Sequence, residues 1–175
     1  MRLFISINLS QHTRTKLLYL QNELRFNSTK GYFTLPGNFH ITLVFIGDCC
    51  ACRASHLCCA CTVSLIKAEI ELIEFDPFYI IINRIDRFKR DYGDIWWAGI
   101  ESNHQLQELH NNITENLLDK KVLLKRRDLK PHITLGRKIK TDVLPRQIKP
   151  FNELVTGITL VESEFINGKL TYTII

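Results

Sequence analysis

The sequence predicts an α+β protein in which antiparallel sheets are flanked by helices. Segments with strand-like alternation of apolar residues are interspersed with segments of helical period. Several strands follow one another through short turns, and hairpins of this kind favour antiparallel sheets over a doubly wound parallel sheet. The order strand, helix and His-Ile-Thr-Leu also occurs once in each half of the chain. With 175 residues and no linker or low-complexity tract, a single domain over residues 1–175 is expected.

The first half of the chain is predicted to alternate strands with helices. Apolar alternation marks the strands, Ser10 is a plausible N-cap, and glycine and proline mark the interruptions. In order, we expect a strand over residues 2–8, a helix from Ser10 to about Phe26, a break at Asn27–Gly31, a strand region Tyr32–Ile46 interrupted at Pro36-Gly37, and a helix through a cysteine-rich segment to about Ala68.

The second half is richer in strands. β-Branched and aromatic residues fill the segment from Ile70 to Phe88, and Asp76-Pro77 predicts a break between two strands there. In order, the further predicted elements are a turn at Asp91–Asp94, a strand Ile95–Glu101, a helix capped by Ser102 and running to about Leu118, a basic connector Lys120–Lys130, a strand His132–Ile139 and a C-terminal hairpin turning at Asn167-Gly168.

The composition is that of an ordinary globular protein, with 45% hydrophobic and 23% charged residues. A chain of this length can bury a core without a disulfide or a metal. The formal net charge of +5 suits an anionic ligand without requiring one. No stretch has the apolar length of a spanning helix, and the N-terminal residues lack the pattern of a signal peptide. We therefore expect a cytoplasmic monomer that does not engage a membrane.

All six cysteines fall between Cys49 and Cys61, and this clustering is unlike an extracellular disulfide framework. They are interpreted as reduced thiols on an ordinary helix. On such a helix Cys49, Cys52, His56 and Cys59 would share roughly one face, so a zinc site is the alternative. Structural zinc sites usually take paired ligands from a turn, and no metal or other cofactor is expected.

The two His-Ile-Thr-Leu segments begin at His40 and at His132. Because side chains alternate along a strand, each histidine shares a face with the threonine two residues later, Thr42 or Thr134. The isoleucine and leucine of each motif then lie on the opposite face and can be buried. An accidental repeat is the alternative, but both copies have the alternation that a one-sided strand requires.

Two imidazoles facing one groove can act as general base and general acid, because their ordinary pKa lies near 6.5. Threonine hydroxyls and nearby cations would hold the non-bridging oxygens of a phosphate and stabilise the charge that develops on it. The pattern therefore indicates metal-independent chemistry on a phosphodiester.

The paired motifs resemble those of the 2H phosphoesterase family, most closely its bacterial RNA 2′,3′-cyclic phosphodiesterases, formerly described as 2′-5′ RNA ligases. The resemblance covers nearly the whole chain, including the segments Leu3–Ile7, Pro36–Gly47, Asp94–Glu101, Lys130–Arg137 and Val161–Tyr172. It implies two pseudo-symmetric lobes, each an antiparallel sheet flanked by helices, with both motifs lining a central cleft. It also implies hydrolysis of a 2′,3′-cyclic phosphate, on RNA or on a cyclic nucleotide, to a 2′-phosphate.

By this resemblance His40 and His132 are the acid–base pair, and Thr42 and Thr134 bind the phosphate. We expect His40 to protonate the leaving O3′ and His132 to activate water. Arg137 also matches the family pattern, yet strict alternation places it on the wrong face unless Gly136 permits a bulge or the strand ends there. A solvated arginine at the end of the strand is the alternative.

Aromatic residues that could stack on a base are Phe33, Trp96 and Trp97, of which at most one tryptophan faces the cleft. For each, packing in the core is the alternative. The basic run Lys120–Lys130 could guide an RNA backbone or could be a solvated connector.

Two other functions remain open at this point. The same scaffold could form 2′-5′ linkages by the reverse reaction, or the protein could be a non-catalytic RNA- or nucleotide-binding module. Two matched histidines argue against the binding module, since binding alone requires only cations.

Overall fold

The computed structural model describes residues 1–48, 59–122, 124, 127–166 and 168–175. Within these residues the chain forms strands, three α-helices and a short 3₁₀ turn at Pro36–Asn38. In order, the strands and helices are β1 (Arg2–Asn8), α1 (Gln11–Phe26), β2 (Ser28–Phe33), β3 (His40–Asp48), α2 (Cys59–Glu71), β4 (Phe78–Phe88), β5 (Asp94–Ile100), α3 (His104–Asp119), β6 (His132–Thr141), β7 (Arg146–Val155), β8 (Thr159–Ile166) and β9 (Lys169–Ile174). None of the described helices is long and apolar enough to cross a membrane.

The strands form two antiparallel sheets, and the predicted α+β class is confirmed. The first sheet has the strand order β3-β1-β8-β9 and the second has the order β2-β6-β5-β4-β7. The two motif strands, β3 in the first sheet and β6 in the second, contact each other. The two sheets therefore meet where the sequence places its two histidine motifs.

Alternation along the motif strands separates a buried face from an open one. Ile41 and Leu43 on β3 and Ile133 and Leu135 on β6 are all buried. They join one hydrophobic core with apolar residues of β1, α1, β4, β5 and α3, which are Leu3, Ile5, Ile7, Leu17, Leu24, Ile80, Ile82, Ala98, Leu109 and Ile113. The burial of these aliphatic faces fixes which way the histidine and threonine side chains point.

The predicted start of α1 is confirmed. The Ser10 backbone is extended, and its hydroxyl accepts a hydrogen bond from the Thr13 amide at 3.2 Å. Glu153 of β7, itself buried, accepts hydrogen bonds from the Ser10 amide at 2.6 Å and from the Ser10 hydroxyl at 2.7 Å. These contacts join the beginning of α1 to the far edge of the second sheet.

Three local predictions are corrected by the structure, and one strand was not predicted. The predicted strand before Asp76 is absent from the described residues, because α2 continues to Glu71 and packs Ile66 and Ile70, four residues apart, against the core. The predicted cap Ser102 is wrong by one residue, since the Asn103 side chain accepts from the Leu106 amide at 2.8 Å.

The other two differences concern strands. Helix α1 ends at Phe26 as predicted, but the strand expected from Tyr32 begins at Ser28, and Gly31 lies so close to β6 that a Cβ there would be 2.7 Å from Ile139. Strand β7, which contains Pro150, was not predicted. At the edge of a sheet a proline is tolerated, and β7 is an edge strand.

The C-terminal hairpin is confirmed by the pairing of Ile166 with Lys169 across β8 and β9. Asn167, the first residue of its predicted turn, lies outside the described residues. So do residues 49–58 of the predicted cysteine-rich helix, which include Cys49, Cys52 and His56 of the alternative zinc site.

Candidate active site

His40 begins strand β3, directly after the 3₁₀ turn. Its Nδ1 lies 2.7 Å from the backbone carbonyl of Asn38, and its Nε2 lies 3.1 Å from the hydroxyl of Thr42. Because a carbonyl can only accept, Nδ1 carries the hydrogen in the neutral ring. Nε2 is therefore the atom with a lone pair, shared with the hydroxyl that the motif places two residues later.

His132 begins strand β6 in the same way. Its Nδ1 lies 2.7 Å from the backbone carbonyl of Lys130, which is again two residues earlier in the chain. The two histidines thus have matching backbone contacts, and the same tautomer follows for both. Thr134, two residues further along β6, is half-buried and lies opposite Trp97 of β5.

Each imidazole packs against two aromatic rings. The His40 ring centroid is 4.8 Å from that of Phe4 and 5.0 Å from that of Tyr172. The His132 ring centroid is 5.3 Å from that of Phe88 and 6.0 Å from that of Trp97. These rings restrict the orientation of each imidazole from both sides of the site.

Arg137 reaches the two histidines because β6 contains an irregularity. Trp97 pairs with Thr134 whereas the preceding Trp96 pairs with Gly136, so one extra residue of β6 is accommodated there. A Cβ on Gly136 would lie 2.6 Å from buried Ile139, which directs this position towards the core and the next one, Arg137, away from it. Of the two possibilities that the sequence left open, the structure has the bulge, since β6 continues to Thr141.

The positive charge of Arg137 acts on Tyr172 of β9. Burial raises the pKa of Tyr172, and Arg137 partly opposes that increase. A cation from the second sheet and a phenol from the first therefore meet beside His40. This contact joins the two sheets at the site.

Burial lowers the pKa of His40 to about 4. The hydrogen bond to the Asn38 carbonyl opposes this decrease, whereas the positive charges of His132, Arg137 and Arg14 add to it. Burial is also the main reason that the pKa of His132 is lowered, with a further contribution from Arg137. At neutral pH both imidazoles are neutral in the unliganded protein, in a field of positive charge.

Two pockets lie on either side of the histidine pair. The pocket beside His40 has a volume of about 280 Å³ and is lined by β1 and β9 residues that include Ser6, Asn8 and Tyr172. The pocket beside His132 has a volume of about 240 Å³ and includes Thr42 and Phe88. A substrate whose phosphate lay between the histidines would thus have room on both sides.

A protein-family model described as the 2′-5′ RNA ligase superfamily matches residues 22–163. The chain belongs to this superfamily. The family resemblance carried by the two His-Ile-Thr-Leu motifs is thereby confirmed.

Two relatives of this superfamily protein are named RNA 2′,3′-cyclic phosphodiesterase. The one from Geobacillus stearothermophilus is 31% identical over 102 residues, which are 58% of this chain and 30% of that protein. The one from Methanothermobacter thermautotrophicus is 24% identical over 137 residues, which are 78% of this chain and 70% of that protein. The match thus spans less than a third of the first relative's length and more than two thirds of the second's.

Solved structures share the fold of this superfamily protein. Escherichia coli LigT superposes with a TM-score of 0.77 at 22% identity in its apo form and 0.79 at 22% identity in its complex with 3′-AMP. A phosphoesterase crystal structure superposes with a TM-score of 0.79 at 23% identity. Each comparison covers 99% of this chain and 94% of the other. At these identities the likeness establishes the fold.

The structure does not bring every predicted residue of this superfamily protein to the site. Phe33 packs against the core beneath Arg25 of α1, whose guanidinium carbon is 4.7 Å from its ring centroid. Trp96 is fully buried, whereas the ring of Trp97 lies beside that of His132. At most one of these tryptophans was expected to face the cleft. Stacking of a base on Phe33 stays a prediction, and its position does not support it.

The basic connector lies partly beside the site. Arg127 and Lys130 line the pocket next to His132, while residues 123, 125 and 126 lie outside the described residues. His110 of α3 is buried, and its two ring nitrogens lie 3.0 Å from the Leu43 carbonyl and 3.2 Å from the Arg127 carbonyl. It therefore ties the connector to the first motif strand.

Arg14 and Tyr172 are site residues that the sequence argument missed. From α1, the Arg14 Nη1 donates to the carbonyls of Pro36 at 2.6 Å and Gly37 at 3.0 Å, in the turn that precedes His40. Its Nε donates to the Leu9 carbonyl at 3.0 Å. A helical arginine ordinarily indicates a solvated face, and the tail tyrosine lies 132 positions from His40, so neither had a local signal.

Proposed function

We propose that this protein hydrolyses 2′,3′-cyclic phosphates at RNA termini, and on cyclic nucleotides, to 2′-phosphomonoesters. The observation that carries the proposal is the matched pair of imidazoles, each held by a backbone carbonyl at Nδ1 and available for proton exchange at Nε2. Membership of the superfamily and the names of the two relatives support the same substrate class. No metal ion enters the proposed reaction.

The proposed reaction moves two protons and exchanges one phosphorus–oxygen bond for another. His132 accepts a proton from water at Nε2 while the water oxygen forms a bond to phosphorus. The bond from phosphorus to O3′ breaks, and protonated His40 donates its Nε2 proton to O3′. The products are a 2′-phosphate and a free 3′-hydroxyl, with the protons on the two histidines exchanged.

In the proposed reaction, Arg137, Thr42 and Thr134 stabilise the charge on the phosphoryl oxygens. Arg137 supplies a planar set of N–H donors and a permanent positive charge. Thr42 and Thr134 supply hydroxyl donors. The Thr42 hydroxyl lies 3.1 Å from His40 Nε2 and can turn from that nitrogen to a phosphate oxygen. Each of these donors acts on the charge that increases as the water attacks.

In the proposed reaction, the bound substrate favours protonation of the histidine that acts as the acid. In the unliganded protein, burial and the neighbouring cations disfavour a proton on either imidazole. A bound phosphodiester anion offsets the charge of Arg137 and raises the pKa of the histidine that protonates O3′. The acid form of the pair is therefore favoured when substrate is present.

The proposal is tested by incubating the purified protein with a 2′,3′-cyclic mononucleotide in the presence of a chelator. We expect turnover to a 2′-phosphate, identified by its chromatographic retention against authentic 2′- and 3′-phosphates. A 3′-phosphate product would reverse the orientation of the substrate, and activity that requires an added metal would overturn the mechanism. A 2′-5′ dinucleotide formed from RNA ends would favour ligation on the same site, and binding without turnover would favour the non-catalytic module.

A further inference from the structure

Strands β2 and β6 place a group of exposed side chains beside Arg137. Across the ladder between these strands, Tyr32 pairs with Arg137 and Lys30 pairs with Lys140. Lys138 lies between Arg137 and Lys140 on β6, and its ammonium is 5.8 Å from the Tyr32 ring centroid. We call Lys30, Tyr32, Lys138 and Lys140 the cationic strip.

The strip shares the open face of the second sheet with the catalytic residues. Gly31 lies against Ile139, and Phe33 packs on the core, so these two β2 positions face inward. Lys30 and Tyr32 alternate with them and therefore face outward. Arg137 is on the same side, since it pairs with Tyr32 and acts on the pKa of both histidines.

Tyr32 is too exposed to serve as a core residue, and its ring is available to a ligand. Its side chain is 67% exposed on an edge strand, and Lys138 is stacked near its ring. Lys138 has a backbone φ of 54°, a left-handed conformation that is unfavourable for a side chain of this kind. This strained residue belongs to the same irregular part of β6 that directs Arg137 into the site.

The charges of the strip are unbalanced within the described part of the chain. Lys30 lies directly opposite Lys140, and like charges at such positions destabilise a sheet. No carboxylate among the described residues forms an ion pair with Lys30, Lys138 or Lys140. A polyanion bound along the strip would remove this repulsion.

We propose that the cationic strip binds the single-stranded RNA immediately upstream of the terminal cyclic phosphate. Tyr32 stacks on a base, and Lys30, Lys138 and Lys140 neutralise backbone phosphates. The far end of the strip at Lys140 is about 10 Å from Arg137 along β6, at roughly 3.3 Å per strand residue, so the strip engages a short stretch of RNA. The inference rests on the proposed function and extends it from a mononucleotide to an RNA terminus.

The test compares kcat/KM for a 2′,3′-cyclic mononucleotide with kcat/KM for a single-stranded oligonucleotide that ends in the same cyclic phosphate. In Tyr32→Ala we expect kcat/KM for the oligonucleotide to fall about tenfold, because one base loses its stacking partner. In Lys30→Ala we expect a smaller loss that diminishes as salt is added. Both variants should retain wild-type kcat/KM for the mononucleotide, which also reports that they are folded.

Two control variants separate specific contacts from general effects. Tyr32→Phe keeps the aromatic ring and should retain oligonucleotide turnover. Lys149→Ala removes an equally exposed lysine from β7, at the opposite edge of the same sheet, and should leave oligonucleotide turnover unchanged. Equal losses in Lys30→Ala and Lys149→Ala would indicate a general electrostatic effect and would overturn the strip.

The outcome distinguishes failure of the strip from failure of the proposed function. If wild-type protein turns over both substrates and Tyr32→Ala leaves their ratio unchanged, the strip is refuted and the proposed function stands. If wild-type protein turns over neither substrate, the proposed function fails. Fluorescence anisotropy with the same oligonucleotide then decides the strip, since weaker binding by Tyr32→Ala supports it and equal binding refutes it.

Discussion

At the scale of single residues, backbone carbonyls determine what the two histidines can do. The Asn38 and Lys130 carbonyls each hold an Nδ1 hydrogen, so proton transfer to or from substrate is left to Nε2 on both rings. Burial lowers both pKa values, and the aromatic rings beside each imidazole contribute to that burial. In the proposed reaction, the two residues act as a pair only when an anion lies between them.

The first prediction concerns that pair. His40→Ala and His132→Ala should each lower kcat/KM for a cyclic mononucleotide by roughly 10²–10⁴-fold, and the double variant should be little worse than either. Losses that multiply in the double variant would contradict a shared site. Circular dichroism provides the check that each variant is folded.

A substrate whose leaving group needs no protonation assigns the two roles. With such a leaving group in place of O3′, we expect His40→Ala to regain activity and His132→Ala to remain inactive. The reverse pattern of recovery would make His132 the acid and His40 the base.

At the scale of secondary structure elements, the irregular part of β6 decides the position of Arg137. Gly93, in the turn between β4 and β5, lies against this segment with a φ of 108°. A Cβ there would be 2.7 Å from the backbone carbonyl carbon of Lys138. The backbone of the turn at Gly93 therefore packs directly against the backbone of β6 at Lys138.

The second prediction follows from that contact. Gly93→Ala should displace the bulge and lower kcat/KM by up to about 100-fold, since small displacements of a positioned group are costly. In an Arg137→Ala background the same substitution should have little further effect on kcat/KM. Gly157→Ala is the matched control, because a Cβ at Gly157 meets nothing within 4 Å. An unchanged kcat/KM in Gly93→Ala would mean that Arg137 does not depend on this turn.

At the scale of the whole molecule, the buried His40 lowers the free energy of unfolding in acid. His40 has a pKa of about 4 in the folded protein and about 6.5 in an unfolded chain. Below pH 6.5 the unfolded state binds more protons at this residue, so the free energy of unfolding falls as pH falls from 6.5 towards 4. The contribution is fully present above pH 6.5 and is lost by pH 4.

The third prediction is that His40→Gln reduces this dependence on pH. Urea denaturation between pH 7 and pH 4 should give a loss of unfolding free energy that is smaller in the variant by up to about 3 kcal/mol. Inorganic phosphate should stabilise the wild type more at pH 5 than at pH 7, because an anion favours protonated histidine. Identical pH dependence in variant and wild type would contradict a buried, neutral His40.

Predictions from the sequence were most accurate where a side chain's direction depends on its own strand. His40 with Thr42, and His132 with Thr134, were expected to share a face opposite the buried Ile41 and Ile133, and the burial of these isoleucines agrees. The strand predicted before Asp76 failed because the propensity of isolated residues was outweighed by packing of α2 against the core. Local preferences are small compared with the burial of a helix face.

The family, the α+β class and the two motifs could be predicted from the residues alone, because alternation and motif spacing are local properties of the chain. The positions of Arg137, Tyr172 and Arg14 near His40, and of Tyr32 beside Arg137, became clear only from the three-dimensional packing. Each of these depends on pairing between residues far apart in the chain. The register of β6 against β5 and β2 is set by hydrogen bonds and core packing across the whole molecule, and no neighbouring residue in the sequence encodes it.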